Sequence, residues 1–249
     1  KKVTQYKADK LQEEIAGTLV LAIDDNPLNL DIISSILCKA EVNVVTASDA
    51  KQGVEWVNIL RPDLVLMDIQ MPGIDGYQAT QIIRQQFDAQ QLPIFALTAH
   101  CEPADIARSL NSGMNKHLTK PVVAPILFAS IADLGISKPC FFDKTFALTQ
   151  FNDDEKLLQS MLTKLAVLSE SYSAELQKDI PTIEMVRLVH SLKGIAGNLG
   201  FNRLLLCAQH TEQLLKVGDK SANAAIKELI IQLKQVHIYI KILDVSNDK

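Results

Sequence analysis

Apolar residues follow two different periods along the chain. Between residues 18 and 135, short apolar or β-branched runs alternate with segments whose apolar residues recur at helical spacing. The runs predicted as buried strands are residues 19–23, 42–45, 63–67 and 94–97, and the segments predicted as helices include residues 28–37, 50–60 and 78–87. Repeated strand–helix units of this length predict a doubly wound α/β domain, in which helices cover both faces of a parallel sheet.

The strand pattern disappears after residue 153, and every later segment has a helical period. Two apolar stripes are well defined: Leu158, Leu162, Leu165 and Tyr172, and Met185, Leu188, Leu192, Ile195 and Leu199. A third helix begins at residues 204–208, and a fourth stripe runs from Ile226 to Leu243. Four amphipathic helices of this size predict an all-α antiparallel four-helix bundle.

The predicted organisation is a connector at residues 1–17, an α/β domain at 18–135, a linker at 136–152 and a helical domain at 153–249. A length of 249 residues is enough for two such domains. The linker contains Phe141, Phe142 and Phe146, which predict that it packs against a folded part of the protein. Because the sequence starts with Lys1 rather than Met, we expect a fragment or a processed product.

Composition narrows the classes of function. Apolar residues make up 47% and charged residues 22%, which is typical of a soluble protein with a core in each half. A net charge of −4 argues against a nucleic-acid partner, and no apolar run approaches the roughly 18 residues of a membrane span. We therefore expect no membrane contact by this chain. The four scattered cysteines are expected to be free thiols, which indicates a cytoplasmic location and is compatible with a parent protein anchored in the inner membrane.

Carboxylates are expected to gather at the carboxyl edge of the predicted sheet, where ligands bind in open α/β folds. Asp24 and Asp25 follow the first strand and Asp68 follows the third. Three clustered negative charges repel one another unless a cation or a proton intervenes, and Mg²⁺, a divalent ion with oxygen ligands, suits the set. Thr98 and Lys120 end the fourth and fifth strands and would face the same pocket. The set predicts phosphoryl transfer to a carboxylate, with Asp68 as nucleophile.

Two other interpretations fit parts of this pattern. Acidic residues after strands also serve as turn formers and helix caps, and a single Thr or Lys at such a place is commonly structural. A hydrolase of the Asp-nucleophile phosphatase type combines the same residue types with Mg²⁺. Those enzymes place a spacer between two aspartates after the first strand, whereas Asp24 and Asp25 are adjacent.

Four motifs closely resemble the receiver domains of two-component signalling. They are Ile-Asp-Asp-Asn at 23–26, Met-Asp-Ile-Gln-Met-Pro-Gly-Ile-Asp-Gly at 67–76, Leu-Thr-Ala-His at 97–100 and Leu-Thr-Lys-Pro at 118–121. The resemblance covers residues 18–135 and implies a flavodoxin-like fold with a five-stranded sheet.

The same resemblance implies a role for each site residue. Asp68 would be the phosphoacceptor, and Asp25, Asp68 and the Gln70 backbone carbonyl would be Mg²⁺ ligands, with Asp24 acting through water. Thr98 would donate a hydrogen bond to the phosphoryl group, and Lys120 would pair with it. His117 departs from the family, since many members carry a Tyr or Phe switch there. A pH-sensitive variant and an ordinary strand residue are the two interpretations of His117.

A histidine is predicted to face solvent on the second helix of the bundle. A step of 100° per residue places the apolar stripe on the side away from His190, and places Lys193, Gly194 and Gly197 near it. A helical Gly costs about 1 kcal/mol relative to Ala, so these glycines suggest room for a partner's active site. Lys193 can offset the charge of a phosphoryl group. By itself, an exposed helical histidine is commonly an ordinary surface residue.

The segment at residues 190–200, His-Ser-Leu-Lys-Gly-Ile-Ala-Gly-Asn-Leu-Gly, closely resembles histidine phosphotransfer domains. The resemblance covers residues 142–249. It implies that His190 is the phosphorylated residue and that Lys193 and Gly194 support it.

Together the two resemblances suggest the C-terminal region of a hybrid sensor histidine kinase. An upstream kinase domain, expected in the same parent chain, would phosphorylate Asp68, and His190 would relay the phosphoryl group to a separate response regulator. Mg²⁺ is the only cofactor expected. We find no Gly-rich ATP-binding motif, so kinase activity is expected of the parent rather than of this chain. An interaction scaffold with unused phosphosites is the remaining alternative.

Overall fold

The computed structural model of the protein describes residues 10–99, 102–136 and 138–247, with side chains as far as residue 243. His100, which ends one of the four motifs, Cys101 and most of the predicted connector lie outside the described residues. The chain divides into two compact units, Lys1–Lys138 and Pro139–Lys249.

The first unit contains one five-stranded parallel sheet. Its strands are β1 (Leu19–Ile23), β2 (Asn43–Ala47), β3 (Leu64–Asp68), β4 (Ile94–Thr98) and β5 (Lys116–Thr119). Their order is β2-β1-β3-β4-β5, and every neighbouring pair is parallel. The predicted α/β fold class is confirmed. The bounds of β1 agree with the prediction, those of β2, β3 and β4 differ by one or two residues, and Asp68 is the last residue of β3 rather than the residue after it.

Five helices of this unit follow the strands: α1 (Pro27–Cys38), α2 (Ala50–Leu60), α3 (Gly76–Arg84), α4 (Pro103–Asn111) and α5 (Ala124–Ala132). Buried residues of α1 and α5 share one hydrophobic cluster with alternate residues of β1, such as Val20 and Ala22. On the other face, Ile23 lies against Gly53 of α2. The sheet is therefore covered on both sides, as the strand–helix alternation predicts.

Part of the predicted connector belongs to the same core. Residues 10–15 are helical, and Ile15 is only 2% exposed within the cluster formed by α1, α5 and the sheet. The predicted boundary after residue 17 thus separates residues that pack together, because the apolar side of this short helix is buried.

The second unit is helical and contains α6 (Lys144–Gln150), α7 (Glu155–Glu175), α8 (Thr182–Asn198), α9 (Asn202–Val217) and α10 (Ala222–Asn247). Helix α8 packs mainly against α9, and α7 packs mainly against α10. The last four helices are long, which agrees with the predicted all-α bundle. In the part of the chain that the structure describes, no helix combines the length and the hydrophobicity needed to cross a membrane.

The predicted apolar stripe of α8 needs a correction. Val189 and Ala196 are fully buried, whereas Leu188 and Ile195 are only partly buried. Met185, Leu192 and Leu199 of the predicted stripe are buried, so the buried side, which packs against α9, is shifted by about one residue at the other two positions. The prediction that Leu192 is buried is confirmed.

The predicted linker at residues 136–152 is largely part of the helical unit. Phe141 and Phe142 are buried and contact the rings of Phe201 and Tyr239 at centroid distances of 4.7 to 6.1 Å. Helix α6 follows directly, although Phe146 on it is exposed. Residues 139–152 are therefore not a free spacer, because their aromatic side chains complete this core.

Candidate functional site

Three carboxylates meet at the carboxyl edge of the sheet. Asp24 and Asp25 follow β1, and Asp68 ends β3, the strand next to β1. One ligand atom from each carboxylate lies within 4.8 Å of the others. Asp24 is fully buried and Asp68 is 5% exposed, whereas Asp25 is open to solvent. The sequence therefore predicts this cluster correctly from strand ends alone.

Lys120 bridges two of the carboxylates. Its Nζ lies 2.7 Å from Asp24 Oδ2 and 2.9 Å from Asp68 Oδ1. Burial raises the pKa of Asp68 above its usual range, although the hydrogen bond and charge of Lys120 act against this. Burial would lower the pKa of Lys120, but its hydrogen bonds to Asp24 and Asp68 outweigh burial and raise it. Lys120 is therefore a cation held between Asp24 and Asp68.

Asp24 is held by the start of α1. The Asn29 side chain donates to both Asp24 oxygens at 3.0 and 3.2 Å, and the Asn26 N–H donates to Oδ1 at 2.9 Å. Asn26 in turn caps α1 by accepting from the Leu28 N–H. Asp24 therefore also stabilises the turn after β1, as one of the alternative interpretations of an acidic residue at this place predicts. The sequence analysis did not predict that Asn29 contacts Asp24.

The loop after β3 depends on a glycine. A Cβ on Gly76 would lie 2.2 Å from the Asp68 carbonyl oxygen, so only glycine allows α3 to begin here. The Gly76 N–H donates to the Ile69 carbonyl, and the Gln70 N–H donates to Asp68 Oδ1 at 3.4 Å. Thr98, the last residue of β4, is 4% exposed. The structure brings all the predicted residues of this unit to one edge.

His117 lies within β5, and its ring contacts the helix that follows β4. The Nδ1 atom is 3.3 Å from Ser109 Oγ of α4. Its side chain is half-buried. Residue 117 is therefore tied to α4.

The second site lies at the middle of α8, in the helical unit. The His190 side chain is 64% exposed, which confirms the predicted exposure. Its Nδ1 lies 3.0 Å from Glu212 Oε1, on α9. This contact holds the ring through Nδ1, while most of the side chain is open to solvent.

The Glu212 side chain is only 5% exposed, and it contacts three basic side chains. Lys193 Nζ contacts one of its oxygens, and Lys216 Nζ lies 2.6 Å from the other, the one that His190 also contacts. Hydrogen bonds from Lys193 and then Lys216 hold the pKa of Glu212 at about 2. The carboxylate is therefore ionised and can only accept hydrogen bonds. His190 Nδ1 therefore donates to Glu212, and Nε2 is the ring nitrogen that does not make this contact.

The sequence analysis missed Glu212 and Lys216. Leu204, Ala208 and Glu212 recur every four residues on α9 and are all buried. A charged residue on a buried stripe is a usable signal, since carboxylates are seldom buried without partners.

Gly194 faces open space one turn after His190. In the described part of the chain, no atom outside its own helix lies within 4 Å of a Cβ built on Gly194, whereas one on Gly197 would lie 3.6 Å from Leu205. Packing of this unit does not require glycine at 194. This agrees with the expectation that the space serves a partner.

If His190 is the phosphorylated residue, as the resemblance implies, replacing Glu212 by Leu is expected to slow its labelling about tenfold, the lower end of the loss seen when a group that orients a metal-binding histidine is removed. Without the carboxylate, Nδ1 loses its hydrogen-bond acceptor and the ring is no longer held in one orientation. The initial rate of acid-labile label on His190 measures this. Because the pKa of Glu212 is depressed, its stabilising contribution is present above pH about 4.5 and is lost as pH falls toward about 2.

The control for this prediction is Glu212→Gln, whose side-chain oxygen can still accept from Nδ1–H. It should retain most of the rate. Urea unfolding between pH 5 and 2.5 should show a smaller pH dependence in Glu212→Leu than in the wild type. Equal labelling rates in Glu212→Leu and wild type would exclude the orienting role.

Two families match the chain. The first is the response regulator receiver domain, over residues 20–132, and the second is the Hpt domain, over residues 155–238. Both matches fall within the bounds of the two units.

The chain is also similar to curated sensor kinases. The signal transduction histidine-protein kinase BarA of Escherichia coli is 30% identical over 226 residues, and the sensor histidine kinase GacS of Pseudomonas protegens is 30% identical over 254 residues. These alignments cover 82% and 91% of this chain but 24% and 28% of the relatives. The chain therefore spans about a quarter of their length.

Among solved structures, the receiver domain of a sensor histidine kinase from Pseudomonas aeruginosa is 35% identical to the matched region. The match covers 48% of this chain and 98% of that one, with a TM-score of 0.45. That protein is described with a magnesium ion coordinated in its active site cleft.

Proposed function

Because the chain belongs to the receiver and histidine phosphotransfer (Hpt) families of two-component phosphorelay signalling, as found in hybrid sensor kinases, we propose that it accepts a phosphoryl group on Asp68 and relays it through His190. The observation that supports this most is that each unit holds one candidate acceptor against a charged partner. One is Asp68 beside Lys120, and the other is His190 with Nδ1 held by Glu212.

At Asp68 the reaction is attack of a carboxylate oxygen on the phosphorus of a phosphohistidine. The phosphorus–nitrogen bond breaks, its electron pair returns to the donor imidazole, and an acyl phosphate forms. Lys120 contacts Asp68 and is therefore close enough to pair with the phosphoryl oxygens once they are attached. Thr98 offers a hydroxyl at the same edge of the sheet. Positioning and charge compensation are what this transfer requires of the protein.

The donor set fits a magnesium ion. Carboxylate oxygens of Asp24, Asp25 and Asp68 converge within 4.8 Å, and hard oxygen ligands are those that Mg²⁺ prefers. The Gln70 backbone carbonyl would complete the protein ligands, as the family resemblance implies, with Asp24 acting through water. When bound, the ion neutralises negative charge on the acidic cluster and on the transferred group.

At His190 the nucleophile is Nε2. It attacks the phosphorus of the acyl phosphate, the phosphorus–oxygen bond breaks, and the carboxylate of Asp68 is restored. Glu212 keeps the proton on Nδ1, and Lys193, held one turn away by the same carboxylate, offsets charge on the new phosphohistidine. Attack by an aspartate of a separate response regulator then regenerates the imidazole.

The partners follow from this order. A histidine kinase domain, expected in the parent chain, supplies the phosphoryl group, and a response regulator receives it. Transfer from Asp68 to His190 can take place within one chain or between two chains. The described cysteines, Cys38, Cys140 and Cys207, form no disulfide bond with one another, which fits a reducing, cytoplasmic setting, whether or not the parent is anchored in the inner membrane. Label passing from a phosphorylated sensor kinase through this chain to a regulator tests the whole proposal.

Replacing Gly194 by Leu is expected to reduce transfer to the regulator at least tenfold while the melting temperature stays the same or rises. The new side chain enters open space, so the fold is preserved, and the helix gains from loss of a glycine. The added bulk beside His190 keeps the partner's aspartate away, and misplacement by about 1 Å can cost a hundredfold in rate. Transfer kinetics and thermal unfolding together measure this.

Lys164→Leu provides the matched control, because Lys164 is an exposed residue on α7. It should change neither transfer nor folding. Normal transfer by Gly194→Leu would exclude a close approach at residue 194.

A further inference from the structure

A basic side chain that has no part in the transfer chemistry above, Arg108, lines a cavity beside Thr98. Thr98 and Gln70 line a cavity of about 200 Å³ at the acidic edge, and Arg108 of α4 lines it too. Arg108 is the one basic side chain among the described residues that line it. The space therefore connects the phosphoacceptor site with a guanidinium.

The Arg108 side chain is held by two weak contacts. Its guanidinium carbon lies 4.2 Å from the centroid of the Tyr77 ring, and one of its nitrogens lies 3.9 Å from Asp75 Oδ2. Both partners are at the start of α3, where Asp75 is the capping residue. The Arg108 side chain is 66% exposed, and ion pairs this open to solvent contribute little. A stronger charge nearby can displace them.

Phosphorylation of Asp68 supplies such a charge. A carboxylate with one negative charge becomes a phosphoryl group with nearly two. Lys120 is already shared between Asp24 and Asp68, so the added charge lacks a matching protein cation. Asp105 also lines the cavity and competes for Arg108, but it carries one charge against nearly two.

We propose that Arg108 is the phosphorylation-sensing residue of the first unit. It leaves Tyr77 and Asp75, pairs with the phosphoryl group through the cavity beside Thr98, and so loosens α4 from α3. The proposal rests on Asp68 being the phosphoacceptor. It also gives the unit a switch that does not require a Tyr or Phe at position 117, where His117 instead contacts Ser109 of α4.

The first test follows the Arg108 side chain by NMR in the full chain, with beryllofluoride and Mg²⁺ as the phosphoryl mimic. The Tyr77 ring should shift the Arg108 side-chain resonances, which Arg108→Met identifies by their loss. Addition of the mimic should move them toward the values of an arginine without a ring neighbour. Unchanged Arg108 resonances, alongside amide shifts at residues 68 and 98, would overturn the proposal. If those amides do not respond either, the acceptor role of Asp68 is at fault instead.

The second test measures affinity for the same mimic. Arg108→Met should weaken it about threefold, the size expected of an exposed ion pair. Arg61→Met is the matched control, because Arg61 follows α2, near the amino end of β3 and away from Asp68. Its affinity should match that of the wild type. Equal affinities for Arg108→Met and Arg61→Met would also overturn the proposal.

Discussion

Asp68→Asn is expected to abolish acyl phosphate formation. Acetyl phosphate with Mg²⁺ should label the wild type with an acid-stable, base-labile phosphoryl group, and the variant should show none. An amide is not a nucleophile for phosphorus, whereas its oxygen can keep the contacts with Lys120 and the Gln70 N–H. The loss should therefore come without unfolding, which circular dichroism checks.

Asp49→Asn is the matched control for this variant. Asp49 caps α2 by accepting from the Gln52 N–H, a role that asparagine performs equally well. It should label like the wild type. Chelation of Mg²⁺ should stop labelling in both, because the acidic cluster cannot receive another anion without a cation. Normal base-labile labelling of Asp68→Asn would remove Asp68 from the mechanism.

His190→Gln is expected to load Asp68 normally from a phosphorylated sensor kinase and to leave the external regulator unlabelled. Glutamine lacks the nucleophilic ring nitrogen, and the side chain is 64% exposed, so the helical unit should fold as before. Label on the regulator should fall to background. Label on Asp68 should persist longer, because the phosphoryl group can no longer move on to His190.

His210→Gln serves as the control, because His210 is an exposed histidine of α9 in the same unit. It should pass phosphate at the normal rate. If His190→Gln also did so, the relay order would be wrong and the helical unit would only dock partners.

The sheet and its acidic edge were predictable because they depend on local patterns. Buried parallel strands are continuous apolar runs, and residues at their carboxyl ends must converge. Asp24, Asp68 and Lys120 meet for this reason, although they are distant in sequence. Likewise, the exposure of His190 follows from one helical period.

The remaining features depend on how helices pack, which periodicity does not determine. The burial of Val189 rather than Leu188 depends on α8 packing against α9. The contact between His190 and Glu212 joins residues 22 positions apart on two helices. Phe141 was predicted to pack, but its partners, Phe201 and Tyr239, are set by the fold of the whole unit.

The most direct test of the relay is a time course in the wild-type chain. The chain is mixed with a phosphorylated sensor kinase and a response regulator, and samples are treated with acid or base to separate phosphohistidine from acyl phosphate. Base-labile label on Asp68 should appear before acid-labile label on His190, and label on the regulator should come last. Acid-labile label on His190 in Asp68→Asn, formed at the wild-type rate, would contradict the relay.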